Sequence, residues 1–337
     1  MLIHKISDMK FISAKYYLEM NPEQGHSFNV KPFDLEFYMI RKCICFGKDE
    51  QVILRVQHNI NYIFTESCKY GHHNRVFDIY SSGISDKYEH LDEAVPLYPI
   101  WGTNFWHWVF ESFPSVILLE SRHYSGVYIV PNLPFILELL ELFNIDKSRI
   151  KFSGPAYIID KIILSEKNPG HGLVENLPIV ELIRNVILNA TGIMAGKKNI
   201  WVQRIKTRTF INNDEVFYVL KKYDFETMIP EKYSIKQQFY NMTNVNLSFM
   251  PHGANTTLTL AQPEYSMFVE LFGYSYVNYT NIHIVKLLKL LYIPIPEKVE
   301  SETINDMKTA NIHNNILVNI PLLKTILQNL LSLTKRR

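Results

Sequence analysis

Several features that mark specialised classes of protein are absent from this sequence of 337 residues. It has three cysteines, Cys43, Cys45 and Cys68, which are too few and too clustered for a disulfide framework. Basic and acidic residues number 35 and 33, so no overall positive field favours nucleic acid. The first nine residues lack the apolar core of a signal peptide, and no apolar run reaches the roughly 20 residues that span a bilayer. We therefore expect a reduced, cytoplasmic protein that does not bind nucleic acid.

A metal site has little support in the sequence. Cys45, Cys68, His72 and His73 lie in one region, but their spacing matches no standard zinc pattern. Cys43 and Cys45 are two residues apart, which would put both thiols on one face of a strand as small buried hydrophobes. We predict neither a bound metal nor a cofactor.

The order of predicted strands and helices indicates an α/β protein with two domains. Its length exceeds what one domain usually holds, while 47% hydrophobic and 20% charged residues are typical of globular proteins. In the second half, strands alternate with helices as a doubly wound parallel sheet requires: strands at residues 199–203, 225–229, 245–249 and 267–271, helices at 214–223, 234–242 and 256–262. We divide the chain into an N-terminal domain (1–170), a C-terminal domain (171–300) and a helical tail (301–337).

The first half has a less regular pattern. Short strands are predicted at residues 37–46, 51–56 and 62–64. Asn104 can cap a helix that continues toward Arg122, and Pro114 should bend or restart that helix. A strand near residues 126–131, a helix at 135–142 and a strand near 156–164 follow.

Residues 250–257, Met-Pro-His-Gly-Ala-Asn-Thr-Thr, connect a predicted strand to a predicted helix. Gly253 and Ala254 are small enough for an anion to approach the backbone, and N–H groups at the start of a helix point at such an anion. Glu270 lies in the next strand, where a carboxylate can receive ribose hydroxyls. An ordinary strand–helix turn with a glycine is the alternative interpretation.

Two arginines, Arg204 and Arg208, follow the predicted strand at residues 199–203. Guanidinium groups at the carboxyl end of a strand can hold a diphosphate through paired N–H bonds. A solvated basic loop is the alternative. No Asp-x-Asp pair lies between a strand and a loop, so arginines and a helix N-terminus would neutralise the phosphates without a divalent metal.

His107 and Glu111 are four residues apart on a predicted helix and therefore share a face. An imidazole beside a carboxylate can act as a general base, because one group takes the proton while the other orients it or holds the acceptor. Either group can be the base. The same segment is rich in aromatic rings, which suit the apolar faces of sugars and equally suit an ordinary core: Trp101, Phe105, Trp106 and Trp108.

Residues 321–337 are expected to form an amphipathic helix. Six residues make up its apolar stripe: Leu322, Leu323, Ile326, Leu327, Leu330 and Leu331. This stripe can pack against a domain or, together with the basic end at residues 335–337, contact an anionic membrane surface.

Four segments resemble motifs of the family 61 glycosyltransferases, which include bacterial capsular polysaccharide biosynthesis proteins. Residues 102–114 resemble the family's Asn-aromatic-x-His-Trp segment that ends in Pro, and residues 204–215 resemble its Arg-x-x-x-Arg region. Residues 251–254 resemble its Pro-His-Gly-Ala turn, and residues 269–271 its Val-Ile-Glu-Leu strand. Order and spacing agree from residue 102 to residue 271.

The resemblance implies two Rossmann-like domains that face each other across a cleft, the GT-B arrangement, and inversion of the anomeric carbon. The nucleotide-sugar donor would bind the C-terminal domain through seven residues: Arg204, Arg208, His252, Gly253, Ala254, Asn255 and Glu270. Catalysis and acceptor binding would involve the N-terminal domain: Glu111 and His107 as catalytic residues, and Asn104, Trp106 and Trp108 on the acceptor side.

Three departures from the family pattern concern the identity of the donor more than the class of reaction. Gln237 stands where members often have Glu, and Met250 precedes the turn in place of Gly. After the turn, Asn255 and two threonines replace small apolar residues.

The sequence therefore predicts an inverting, metal-independent glycosyltransferase of polysaccharide biosynthesis. It would move a sugar from a nucleotide sugar, UDP-linked in our expectation, to a hydroxyl of a glycan acceptor. The alternative is a catalytically silent nucleotide- or sugar-binding partner in a glycan assembly complex, which Gln237 would permit. A nucleotide-dependent oxidoreductase is disfavoured because no Gly-x-Gly-x-x-Gly motif is present. A homo-oligomer and a peripheral membrane contact are further expectations.

Overall fold

The computed structural model describes residues 4–5, 37–48, 51–56, 60–64, 89–97, 102–153, 157–165, 177–194, 196–273, 280–296 and 315–334. Cys68, His72, His73 and Trp101 lie outside these residues. The chain divides into two compact units, Met1–Val186 and Ile187–Arg337. Both units contain parallel strands joined by helices, which confirms the prediction of an α/β protein.

Unit 1 is built on an eight-stranded mixed sheet. Its strands are β1 (His4–Lys5), β2 (Phe37–Lys48), β3 (Gln51–Val56), β4 (Ile60–Phe64), β5 (Glu89–Pro96), β6 (Val127–Val130), β7 (Ile150–Phe152) and β8 (Tyr157–Ser165). The order is β4-β3-β2-β8-β5-β6-β7, and β1 pairs with β2. Strands β8, β5, β6 and β7 run parallel, whereas β1 to β4 extend the sheet from β8 by antiparallel pairing.

The helical segment that carries His107 and Glu111 changes its winding partway along. It consists of α1 (Phe105–His107), a π-helical turn (Trp108–Ser112) and α2 (Phe113–Glu120). Asn104 caps α1 as predicted, since its Oδ1 accepts a hydrogen bond of 2.9 Å from Trp106 N. The restart predicted at Pro114 takes the form of the π turn, in which Phe113 N donates to Trp108 O. Pro114 has no N–H to continue the regular bonding, and a wider turn accommodates this.

Unit 1 also contains α3 (Pro134–Leu142) and a short 3-10 turn (Lys147–Arg149), and the boundary between the units falls within α4 (Leu177–Thr191). Unit 2 itself contains five parallel strands: β9 (Lys198–Val202), β10 (Phe225–Met228), β11 (Val245–Pro251), β12 (Met267–Phe272) and β13 (Leu291–Pro296). Their order is β10-β9-β11-β12-β13, so the chain first adds a strand on one side of β9 and then crosses to the other side. This reversal separates the loops after β9 and β11. Open α/β sheets bind ligands at the carboxyl ends of such a pair of strands.

Besides a short 3-10 turn (Pro230–Lys232), the helices of unit 2 are α5 (Asn213–Lys222), α6 (Ile235–Met242), a 3-10 helix (Ala254–Ala261), α7 (Thr280–Leu287) and α8 (Ile320–Thr334). The helix predicted at residues 256–262 is thus wound more tightly than an α-helix and begins two residues earlier. Thr256 Oγ1 donates to Gly253 O and Thr259 Oγ1 donates to Thr256 O, each at 2.7 Å. These bonds to carbonyls three residues back compete with the regular α-helical pattern.

Two helix starts differ in how they are capped. Asn212 precedes α5 but does not cap it, because its amide pairs with both backbone groups of Val318, at 2.9 and 3.0 Å. Ser234 and Gln237 form a reciprocal capping box at α6: Ser234 N donates to Gln237 Oε1 at 3.1 Å, and Gln237 N donates to Ser234 Oγ at 3.3 Å. Gln237 therefore performs the capping that a glutamate would perform at this position.

Helix α8 contributes to the core of unit 2. Leu323, Leu327 and Leu330 are buried in a cluster that includes Trp201 and Phe249 of the sheet. Packing against a domain, one of the two alternatives for the apolar stripe, therefore accounts for these leucines, which would have to leave the core to contact a membrane. No helix among the described residues has the length and apolar content to cross a bilayer.

We predict that Leu327→Ala lowers the free energy of unfolding by about 2–5 kcal/mol, because it leaves a cavity in this core. Leu322→Ala is the matched control on the same helix: Leu322 is 36% exposed, whereas Leu327 is fully buried. The control should change stability by about 1 kcal/mol or less. Urea unfolding of the whole chain measures both. Equal stability of the two variants would mean that α8 is not part of the core.

Candidate active site

Both arginines of the predicted phosphate clamp lie against Gly253. A Cβ placed on Gly253 would overlap Arg204 Nη1 and lie 2.6 Å from Arg208 Nη1. Arg208 Nη1 also donates a hydrogen bond of 2.8 Å to His252 O. Gly253 has φ of +143°, which L side chains rarely adopt. This position thus requires glycine for two reasons: the backbone conformation and the nearness of two guanidinium groups.

The surrounding protein compensates the positive charge of Arg204 only in part, through the carboxylate of Glu231. Its Nη2 donates to Thr207 Oγ1 at 3.1 Å. Its Nη1 is buried and has no hydrogen-bond partner among the residues that the structure describes. Burial and the nearby charge of Arg208 lower the pKa of Arg204 to about 10. An anion at this place would supply the missing acceptor and reduce the repulsion between the two guanidinium groups.

The start of the 3-10 helix adjoins these arginines. The first hydrogen bond of this helix runs from Thr256 N to Gly253 O, at 2.9 Å. The N–H groups of the residues before Thr256 have no acceptor within the helix, which is the usual reason that helix starts attract anions. Ala254 and Asn255 occupy these first positions and are partly buried. Two guanidinium groups and the start of a helix thus meet at the turn after β11.

Glu270 lies in β12 and is fully buried, with three protein groups around its carboxylate. His252 Nδ1 lies 2.6 Å from Oε1, and Asn281 Nδ2 donates to the same oxygen at 2.7 Å. Tyr292 OH donates to Oε2 at 2.7 Å. The ribose contact inferred from the resemblance stays a prediction. In the structure, the carboxylate joins β12 to the turn at His252, to α7 and to β13.

His107 and Glu111 form a second histidine–carboxylate pair, in unit 1. Their Nδ1 and Oε1 atoms are 2.7 Å apart. The Glu111 side chain is 4% exposed and the His107 side chain is 14% exposed. The carboxylate therefore lies behind the ring, and the imidazole is the member of the pair that reaches the surface.

The residues predicted on the acceptor side have structural roles in the same segment. Trp108 is fully buried with its ring centroid 5.9 Å from that of Phe113, and Trp106 is 8% exposed. Neither ring is displayed as a surface platform for a sugar, and their contact with an acceptor stays a prediction. Asn104 is exposed and uses its side chain as the helix cap.

One group of three potential metal ligands occurs among the described residues, formed by His90, Asp92 and Asp160. All three side chains are exposed, and His90 Nε2 lies 3.3 Å from Asp160 Oδ1. None of them is a predicted site residue.

The structure thus arranges the predicted site residues in two groups, one around His107 in unit 1 and one around Gly253 in unit 2. Sequence reasoning missed Asn281 and Tyr292, the two neutral donors to Glu270. No motif marks either residue, and the elements that carry them, α7 and β13, were not predicted.

Comparison with known proteins agrees with the resemblance drawn from the four motifs. A search of curated proteins finds no match. Residues 105–268 match the family model described as Glycosyltransferase 61. The matched residues include His107, Glu111, both arginines and the turn at Gly253, and they end before Glu270. Residues 105–268 therefore form a glycosyltransferase family 61 domain, and the protein is a glycosyltransferase.

Proposed function

We propose that the protein transfers a sugar from a nucleotide sugar to a hydroxyl group of a glycan acceptor with inversion at the anomeric carbon. The observation that supports this most directly is the buried Arg204 Nη1, which has no partner among the described residues and lies beside Arg208 and Gly253. This cluster lies where the strand order of the parallel sheet reverses, between the carboxyl ends of β9 and β11. A diphosphate, as in a UDP-linked sugar, is the ligand that suits two guanidinium groups and a helix start.

The donor site would act mainly on the leaving group. As the bond between the anomeric carbon and the phosphate oxygen breaks, negative charge develops on the diphosphate. Arg204, Arg208 and the N–H groups near Gly253 would stabilise that charge without moving, which is how preorganised sites lower a barrier. In this proposal the protein itself supplies the positive charge, so the reaction is independent of a metal ion.

His107 is the general base in this proposal, and Glu111 orients it. An ionised carboxylate only accepts hydrogen bonds, so a proton on His107 Nδ1 is the one shared with Glu111 at 2.7 Å. The other ring nitrogen, Nε2, then takes the proton from the acceptor hydroxyl. The acceptor oxygen bonds to the anomeric carbon on the face opposite the departing diphosphate. One base and one displacement give inversion, so no covalent intermediate forms.

The two-domain GT-B arrangement would bring these groups to one reaction centre. His107 belongs to unit 1 and the arginines belong to unit 2, as the assignment of acceptor and donor to different domains requires. The GT-B arrangement predicted from the sequence is therefore part of this proposal.

A catalytically silent binding partner remains the second candidate, and one observation weighs against it. That alternative depended on Gln237 in place of a glutamate. Gln237 forms the capping box of α6 with Ser234, so the substitution preserves a structural role and does not itself imply lost catalysis.

Ligand-linked stability tests the donor site. We expect UDP and inorganic pyrophosphate to raise the melting temperature, with about 2.7 kcal/mol of stabilisation at a hundredfold excess over Kd. Arg204→Met should abolish this shift and leave the ligand-free melting temperature unchanged or higher. Because folding lowers the pKa of Arg204 to about 10, the folded state disfavours its charge at neutral pH.

Arg149 provides the matched control, because its guanidinium is paired. It donates to both oxygens of Glu120, at 3.1 and 2.7 Å, and to the carbonyls of Tyr124 and Gly126. Arg149→Met should lower the melting temperature and retain the pyrophosphate shift. If Arg204→Met lowered the melting temperature and still showed the pyrophosphate shift, the proposed donor site would be contradicted.

We predict that Gly253→Ala weakens pyrophosphate binding by at least about tenfold, because the new methyl group displaces Arg204 and Arg208 from the anion site. Gly192→Ala is the control: Gly192 also has positive φ, +85°, but nothing lies within 4 Å of its added Cβ. Both variants strain the backbone, and only one disturbs the arginines. Titration calorimetry would count against the assignment if the two variants bound pyrophosphate equally well.

Chemical rescue distinguishes the roles of His107 and Glu111. His107→Ala should lower turnover by roughly 10²-fold or more, and added imidazole should restore part of it by taking the same proton. Glu111→Gln should also lower turnover, without rescue, and neither change should alter donor affinity much. Turnover is measured as the rate of product formation from the nucleotide sugar that raises the melting temperature most. NMR of the product reports anomeric inversion. If both variants kept full activity and added imidazole changed neither, this pair would be excluded as the base.

A further inference from the structure

The anion site in unit 2 depends on the position of one short turn. His252 continues the pairing of β11 with β12, since its N–H donates to Leu271 O at 2.8 Å. Its carbonyl accepts the hydrogen bond from Arg208 Nη1, and Gly253 follows directly. A displacement of His252 would therefore move both an acceptor that holds Arg208 and the glycine against which Arg204 lies.

The imidazole ring of His252 is held by β12 on two sides. Nδ1 lies 2.6 Å from Glu270 Oε1, and the ring stacks on Phe272 with centroids 4.9 Å apart and planes 25° apart. Glu270 and Phe272 are two residues apart in the strand, so their side chains lie on the same face of the sheet. The opposite face carries Val269 and Leu271, which belong to the core shared with α8.

The carboxylate that holds this ring is itself fixed by α7 and β13. Asn281 Nδ2 donates to Oε1 and Tyr292 OH donates to Oε2, each at 2.7 Å. Glu270 has no exposed surface, and its oxygens already accept bonds from neutral donors on two other elements. A buried carboxylate with such partners is placed to orient a neighbour, whereas a ligand could reach it only if the side chains that cover it moved aside.

We propose that Glu270 is a positioning residue for the donor site: with Asn281 and Tyr292 it fixes His252, and through the His252 carbonyl it sets the position of Arg208 at the diphosphate. This inference rests on the proposed diphosphate site at Gly253. It assigns Glu270 a contact with protein in place of the ribose contact that the resemblance implied.

Inorganic pyrophosphate separates the two assignments, because it has no ribose. If Glu270 contacts ribose, its loss should weaken UDP and leave pyrophosphate unaffected. If Glu270 positions the turn, its loss should weaken both ligands by the same factor. We expect Glu270→Leu to lower the affinity for each by about tenfold or more, the lower end of the range found for residues that orient the ligands of a metal ion.

Glu270→Gln should restore most of the lost affinity. Its amide oxygen can still accept from His252 and Asn281, and its NH₂ can donate to the Tyr292 hydroxyl. If instead the negative charge were what mattered, the Gln and Leu variants would behave alike. Nitrogen-15 NMR of the His252 ring should report the same tautomer in the Gln variant as in the wild type, and the His107 signal should stay unchanged as an internal reference.

Tyr292→Phe provides a milder variant that keeps the charge of Glu270, in case Glu270→Leu does not fold. It should lower the affinity for pyrophosphate and UDP equally. If Glu270 instead contacted ribose, the change would free Oε2 of Glu270 and leave the affinity for pyrophosphate unaffected. Unchanged pyrophosphate affinity in Tyr292→Phe and in every folded Glu270 variant would overturn the inference. Failure of the wild type to bind pyrophosphate would instead overturn the proposed diphosphate site itself.

Discussion

Like-charge repulsion between Arg204 and Arg208 is the interaction on which the proposed donor site in unit 2 depends. Two guanidinium groups meet at Gly253, which has no side chain, and burial of Arg204 removes much of the water that would screen them. Such an arrangement is unfavourable in isolation. It persists because the loops after β9 and β11 are fixed by a parallel sheet whose strand order reverses between them. The sheet thus stabilises, at some cost, a site that an anion would complete.

The two histidine–carboxylate pairs illustrate how one local geometry supports different tasks. In both pairs Nδ1 lies within 2.7 Å of a carboxylate oxygen, and in both the carboxylate is the more deeply buried partner. Their surroundings differ. Glu111 lies in a π turn and holds a ring that reaches the surface, as the base role proposed for His107 requires. Glu270 lies in a central strand with two further donors, as a fixed support requires.

Sequence reasoning located most strands of unit 2 within one or two residues, because buried parallel strands are continuous apolar runs that turns interrupt. It missed β13, an edge strand in which Pro294 and Pro296 interrupt the strand signal. The motifs predicted Arg204, Gly253 and His107 as site residues, and in the structure Arg204 lies against Gly253. They could not reveal that Glu270 is enclosed by Asn281 and Tyr292, because that contact depends on the register of β12 with β13 and on the placement of α7. Likewise, a tryptophan that faces a sugar and one that fills a core look alike in sequence, and burial alone distinguishes Trp108.

The π turn at Trp108–Ser112 has a consequence for helical phase. A π turn accommodates one residue more than an α-helical turn, and each residue advances an α-helix by about 100°. Removal of one residue here would restore regular winding, but the residues before it would rotate about the helix axis relative to α2. The first seven residues of α2 are all buried. His107 would then turn away from its present face while the core stayed in place. The wide turn thus sets the direction of the imidazole independently of the packing that holds the rest of the helix.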